Sequence, residues 1–150
     1  MFWVRPERND MTRRVARENT VGLLFEYGFR PEVEAGDIYE AALEVRELED
    51  NDFMRSLYFG TVENIEAIDA AIAKNSRGWK PERLSGVARA VLRLGTYELL
   101  FTDVPKNVAV NEAIEMIKKY DDEKARPFVN GILNAIMKSE PSGGISGDNE

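Results

Sequence analysis

"VARAVLRLGTYELLF", residues 87–101, is apolar on almost every side and charged only at Arg89, Arg93 and Glu98. A helix without a broad polar face belongs at the centre of a bundle. The rest of the chain reads outward from that stretch. Apolar positions recur at helical spacing throughout, with no strand-like alternation of any length and no internal repeat. The expected fold class is all-α, about seven helices joined by short connections.

A first helix is predicted from about Thr12 to Tyr27, with Ala16, Thr20, Leu23, Leu24 and Tyr27 on one face and Gly28 and Pro31 ending it. Asp37 is placed to cap a second, running to about Leu48. Asp50 or Asn51 can cap a longer third helix through Lys74, burying Phe53, Leu57, Val62, Ile65, Ile68 and Ile72. Residues 75–86 read as a loop. Beyond the central helix, 107–120 puts Val110, Ala113, Ile114 and Ile117 on one face, with Glu115 and Lys119 as an ion pair one turn apart. The last helix spans 124–138, because Pro127 lacks an N–H and fits only a first turn. Residues 139–150 are acidic and Gly/Ser-rich, and are expected to be a disordered tail.

Composition narrows the function. The 150 residues suit one domain, with 43% hydrophobic and 31% charged residues. No apolar run approaches the ~20 residues that span a bilayer, so the chain is expected to be cytoplasmic. It has no cysteine and no histidine. That removes thiolate nucleophiles, zinc–thiolate sites, the commonest metal ligand and the usual general base near neutral pH. No phosphate loop, nucleophile elbow or calcium loop is present, and no catalytic residue, cofactor or metal is expected.

Charge is unevenly spread. The chain carries −7, yet residues 1–17 hold five arginines against Glu7 and Asp10, which leaves −10 on the remainder. Three of those arginines, Arg13, Arg14 and Arg17, open the first helix. Cations at a helix N-terminus are unfavourable by a few tenths of a kcal/mol, so three together point to another purpose. Guanidinium groups bind phosphate bidentately, and an exposed aromatic offers a base something to stack on. Phe25 falls within about 20° of Arg14 on a helical wheel, roughly 16 Å further along. The residues alone leave two readings open, a nucleic-acid contact and a solvated first turn. The stretch "RPFVNGIL" (126–133) is equally double: Phe128 beside Lys124 and Arg126 is either exposed or core. Gly131 in mid-helix suggests a close helix approach, as does Gly95 in the central helix, where Glu98 and Arg93 are placed to link. Glu112 and Glu115 read as a solvated or protein-binding face.

Taken together and in order, "RRVARE" opening a helix, "W-x3-RL" (79–84) leading into the central stretch, "VPKNVAVNEAIEMIKKY" and "FVNGIL" resemble the NusB family of bacterial transcription antitermination factors. The resemblance covers about 12–137 and is strongest from Trp79 to Leu133. It implies two small packed helical bundles sharing a long central stretch, over residues 12–138, with residues 1–11 as an N-terminal extension. It implies a non-enzymatic factor without cofactor. Such a factor binds the boxA element of ribosomal RNA transcripts, as single-stranded RNA, jointly with ribosomal protein NusE and joins the RNA polymerase antitermination complex. Arg13, Arg14 and Arg17 match the family's RNA-touching arginine motif, and Phe128 matches the aromatic of its "FVNG" element. Phe25 stands where the family often has an aromatic, and Lys124 stands where some relatives are acidic, a change that favours RNA. Glu112 and Glu115 would lie on the NusE face. Val15 interrupts the arginine run, and Arg126-Pro127 replaces the usual lysine. The family includes monomers and homodimers. Two alternatives are the related domain that opens ribosomal RNA cytosine methyltransferases, and a helical interaction module with no RNA role.

Overall fold

The computed structural model describes residues 11–76 and 84–140. Seven helices and no strand occur among them: α1 (Arg13–Phe29), α2 (Ala35–Val45), α3 (Asp52–Glu63), α4 (Ile65–Lys74), α5 (Gly86–Phe101), α6 (Lys106–Tyr120) and α7 (Ala125–Ser139). The expected all-α architecture is the one observed. Trp79, residues 1–10 and residues 141–150 lie outside the described residues.

Helix α5 is the shared centre. It packs against α1, α3, α4, α6 and α7, and ten of its sixteen residues are buried. On one side α1 lies against α2 and α3; on the other α6 and α7 lie against each other. These are the two bundles, joined through α5. Gly95 marks its closest approach. A Cβ there would sit 3.2 Å from both terminal methyls of Leu133 and 3.6 Å from Ala113 Cβ, so the missing side chain is what lets α6 and α7 close on α5. Gly131 has no such reason. Nothing lies within 4 Å of a Cβ built on it, because it faces away from the bundle.

Side-chain caps set three of the seven helix starts. Thr12 caps α1 by accepting from the Val15 N–H at 3.1 Å, Asn51 caps α3 from Met54 at 2.9 Å, and Ser85 caps α5 from Ala88 at 2.9 Å. Asp37 does not cap α2, which begins two residues earlier at Ala35 with Glu34 at the cap position. Asp37 sits in the first turn, where its charge still complements the helix dipole. The single helix expected through Lys74 is broken at Asn64, which ends α3 and starts α4. Its side-chain amide donates to the Gly60 carbonyl at 2.8 Å and shares that acceptor with its own backbone N–H at 3.2 Å. Helix α7 extends through Ser139, whose hydroxyl donates to the Ala135 carbonyl at 2.7 Å.

Candidate nucleic-acid interface

The first two turns of α1 carry the three arginines to three different environments. Arg13 is exposed, and its guanidinium carbon lies 4.2 Å above the centre of the Phe53 ring on α3. Arg14 points toward α6. Its Nε and Nη2 donate to the two carboxylate oxygens of Glu112 at 3.2 and 2.8 Å, a parallel fork on a side chain that is 62% exposed. Arg17 is not at the surface. It is 5% exposed and donates three bonds to Glu98 of α5, from Nε at 3.0 and 3.1 Å and from Nη2 at 2.9 Å.

Arg17 therefore departs from the expected phosphate-contact set. One turn beyond Arg13 the helix has rolled against the bundle, and a cation buried there needs a counter-charge. Glu98 supplies it, in place of the expected link between Glu98 and Arg93. Arg93 instead forks onto Asp69 of α4 at 3.0 and 2.9 Å. Burial pushes the Glu98 carboxyl above its ordinary value, and the bonds from Arg17 pull it back only in part. The signal was in the sequence: an acid on an otherwise apolar central helix has to find a buried cation.

Two further ion pairs tie α1 to α6. Besides Arg14–Glu112, the buried Glu18 accepts from Lys119 Nζ at 3.1 and 3.3 Å and from the Tyr120 hydroxyl at 3.0 Å. Lys119 thus turns to α1 rather than to Glu115, whose carboxylate meets Lys118 at 3.4 Å. The Arg14 guanidinium is held yet more firmly charged, first by its hydrogen bond to Glu112 and then by that acid's charge.

The start of α7 reaches the same place. Arg14, Asn111, Glu112, Glu115, Arg126 and Asn130 line a groove of about 610 Å³ between the first turn of α1, the outer face of α6 and the first turns of α7. Lys124 is exposed at the cap of α7, and Phe128, one turn on, is half-buried and packed against the core. Cations from α1 and α7, Arg14 and Arg126, thus line one groove, and Lys124 and Phe128 flank Arg126 in the sequence. Asn111 is not singled out in the sequence, and Asn130 stands out only beside Gly131. Phe53 reads there only as a buried position, although a ring beside a helix start can serve a guanidinium as a shelf.

Phe25 is elsewhere. It sits near the far end of α1, about 16 Å from Arg14 at 1.5 Å per residue, with its ring 5.0 Å from that of Phe29. A Cβ on Gly86 would lie 2.6 Å from the Phe25 ring, so the start of α5 closes directly over it. Phe25, Phe29, Tyr27, Arg89, Arg93 and Asp69 line a separate cleft of about 520 Å³. Phe29 is 73% exposed there, a large apolar side chain presented to solvent.

Among the described residues no cluster of three or more acidic, histidine or cysteine side chains could hold a metal ion, and no helix is long and apolar enough to cross a membrane.

Comparison with known proteins adds to this geometry. The sequence model described as the NusB family matches residues 14–138. The transcription antitermination protein NusB of Bacillus cereus (strain B4264) is 44% identical over 127 residues, which cover 84% of this chain and 97% of that protein. A solved T. maritima NusB structure is 40% identical with a TM-score of 0.77, covering 87% of this chain and 93% of that one. A crystal structure of antitermination factors NusB and NusE in complex with dsRNA matches at 32% identity and a TM-score of 0.75, over 85% and 96% of the two chains.

Proposed function

This chain belongs to the NusB family, and we propose from that premise that it is a cytoplasmic, non-enzymatic transcription antitermination factor. It binds boxA-type single-stranded RNA of ribosomal transcripts together with ribosomal protein NusE, within the RNA polymerase antitermination complex. The observation that carries the RNA half is the convergence of the α1 and α7 starts on one groove, lined by Arg14 and Arg126, with Arg13 next to Arg14 in the chain and Lys124 and Phe128 each two residues from Arg126. The exposed cations supply phosphate contacts, and Phe128 supplies a ring against which an unpaired base can stack.

Arg17 takes no direct part in this reading. It fixes α1 on α5 through Glu98 and so sets the pitch at which Arg13 and Arg14 leave the surface. The Phe53 ring supports the Arg13 guanidinium by lying beneath it.

The protein half favours the aromatic cleft over the acids Glu112 and Glu115. Glu112 is committed to Arg14 and Glu115 lies along the arginine groove. The cleft instead offers Phe29 at 73% exposure beside Phe25, Arg89 and Arg93. Buried aromatic anchors with neighbouring arginines are what stable protein interfaces are built on.

The charge distribution explains why two partners are needed. A body carrying −10 beyond residue 17 opposes a polyanion, so the protein alone should hold boxA RNA weakly. Titration of a labelled boxA RNA should show at least about tenfold tighter binding when NusE is present, as an extended phosphate contact would give. Charge placed in the cleft by Phe29→Asp should abolish that gain and leave binding by the protein alone unchanged. Equal RNA affinity with and without NusE would contradict the proposal.

A further inference from the structure

We infer that Glu112 is an internal competitor for the RNA, an anion seated on Arg14 that a phosphate has to displace. The inference rests on the RNA-binding reading above and adds a residue that sets how tightly the protein binds alone.

The geometry leads there directly. A guanidinium presents Nε–H and Nη–H in one plane, a fork that fits either a carboxylate or a phosphate with two parallel bonds. In Arg14 both donors already end on Glu112, at 3.2 and 2.8 Å. The two members differ in freedom. The Glu112 side chain is 15% exposed and held on α6, whereas that of Arg14 is 62% exposed. Arg14 is therefore the arm that can swing to another anion, and Glu112 is the berth it leaves.

Charge around the groove makes the exchange close to balanced. A phosphate at Arg14 gains the fork but leaves the Glu112 carboxylate without its cation, with Glu115 one turn away along the same groove. Arg126, from the start of α7, is the other cation lining the groove and can compensate. Arg13 makes no ion-pair fork of this kind among the described residues: its guanidinium lies over the Phe53 ring, and Glu98 acts on it only through its charge. The two adjacent arginines thus differ in role. Arg13 is open to phosphate, and Arg14 is released only when the RNA outbids Glu112.

The test is a set of titrations of a single-stranded boxA RNA oligonucleotide with the full chain, without NusE. Glu112→Gln keeps the size of the side chain and removes its charge. It should tighten binding by about two- to fivefold, the range for freeing one partner of an exposed ion pair. Glu115→Gln removes the same charge from the same helix without freeing the Arg14 fork, and should tighten binding by less. Arg14→Ala should weaken the Glu112→Gln protein by a larger factor than it weakens the wild type. Unchanged or weaker binding by Glu112→Gln overturns the inference, as does an equal gain from Glu115→Gln, which would reduce the effect to general repulsion. Arg13→Ala separates this from the underlying reading: it should weaken binding in every background. If it does so while Glu112→Gln is silent, only the competitor fails; if wild type and Glu112→Gln both fail to bind RNA, the reading and the inference fall together.

Discussion

Arg17→Ala is expected to cost about 3–5 kcal/mol of folding stability, because it strands the Glu98 carboxylate in the interior without its counter-charge. Arg17 and Glu98 are 5% and 1% exposed and share three hydrogen bonds. Against a typical total of about 5–15 kcal/mol, that is a large fraction, and urea unfolding will show it as a lower midpoint at unchanged slope. Arg13→Ala, at the exposed start of α1, should shift stability by under about 0.5 kcal/mol. Replacing both partners, as Arg17→Met with Glu98→Leu, should recover most of the loss, since two apolar groups leave no charge unpaired. An Arg17→Ala protein within about 1 kcal/mol of the wild type would show that the pair does not hold α1 on α5.

The second large effect falls on affinity. Phe128→Leu should weaken RNA binding by about 1–3 kcal/mol, roughly 5- to 150-fold, through the lost stack on a base. Leucine is chosen because Phe128 is half-buried and packed against the core, and a branched aliphatic side chain keeps much of that packing. Stacking neutralises no phosphate, so the salt dependence of binding should stay as it is. A drop in affinity accompanied by a flatter salt dependence would place Phe128's effect on the arginines instead, and unchanged affinity would remove it from the site.

The fold was legible where the sequence left no alternative. A stretch apolar nearly all round at 87–101 admits only a central position, and Gly95 within it announces the close approach that Leu133 and Ala113 make. Asn51 shows where a cap is readable, a side-chain oxygen just before a helical pattern, whereas Asp37, read the same way, lies in the first turn of α2 because that helix starts at Ala35. Asn64 was not readable as a break, because apolar spacing continues across it and only the local bonds of Asn64 back to Gly60 mark the end of α3.

The candidate site was legible in kind but not in its pairings. Periodicity says which residues share a face, and says little about which neighbour faces them. Arg13 and Arg17 share a stripe, yet that stripe rises from solvent into the bundle within one turn, so one arginine is at the surface and the other is core. Phe25 shares an azimuth with Arg14 but lies about 16 Å along the axis, which places it in the cleft with Phe29. Gly131 invited a packing explanation that its open surroundings do not provide. Each of these turns on a long-range contact, and long-range contacts are what a single helical wheel omits.

The salt dependence of boxA RNA binding tests the central claim, that the start of α1 is an RNA site, most directly. Each phosphate neutralised on single-stranded RNA contributes about −0.7 to the slope of log affinity against log salt. Arg13 should contribute that in full, and Arg14 a part or all of it depending on what replaces it at Glu112. Arg13→Ala with Arg14→Ala should therefore flatten the slope by about 0.7–1.4, with stability nearly unchanged and Arg17 still in place. A double variant that binds boxA RNA with the affinity and slope of the parent would make the cluster a solvated first turn, and would contradict the account.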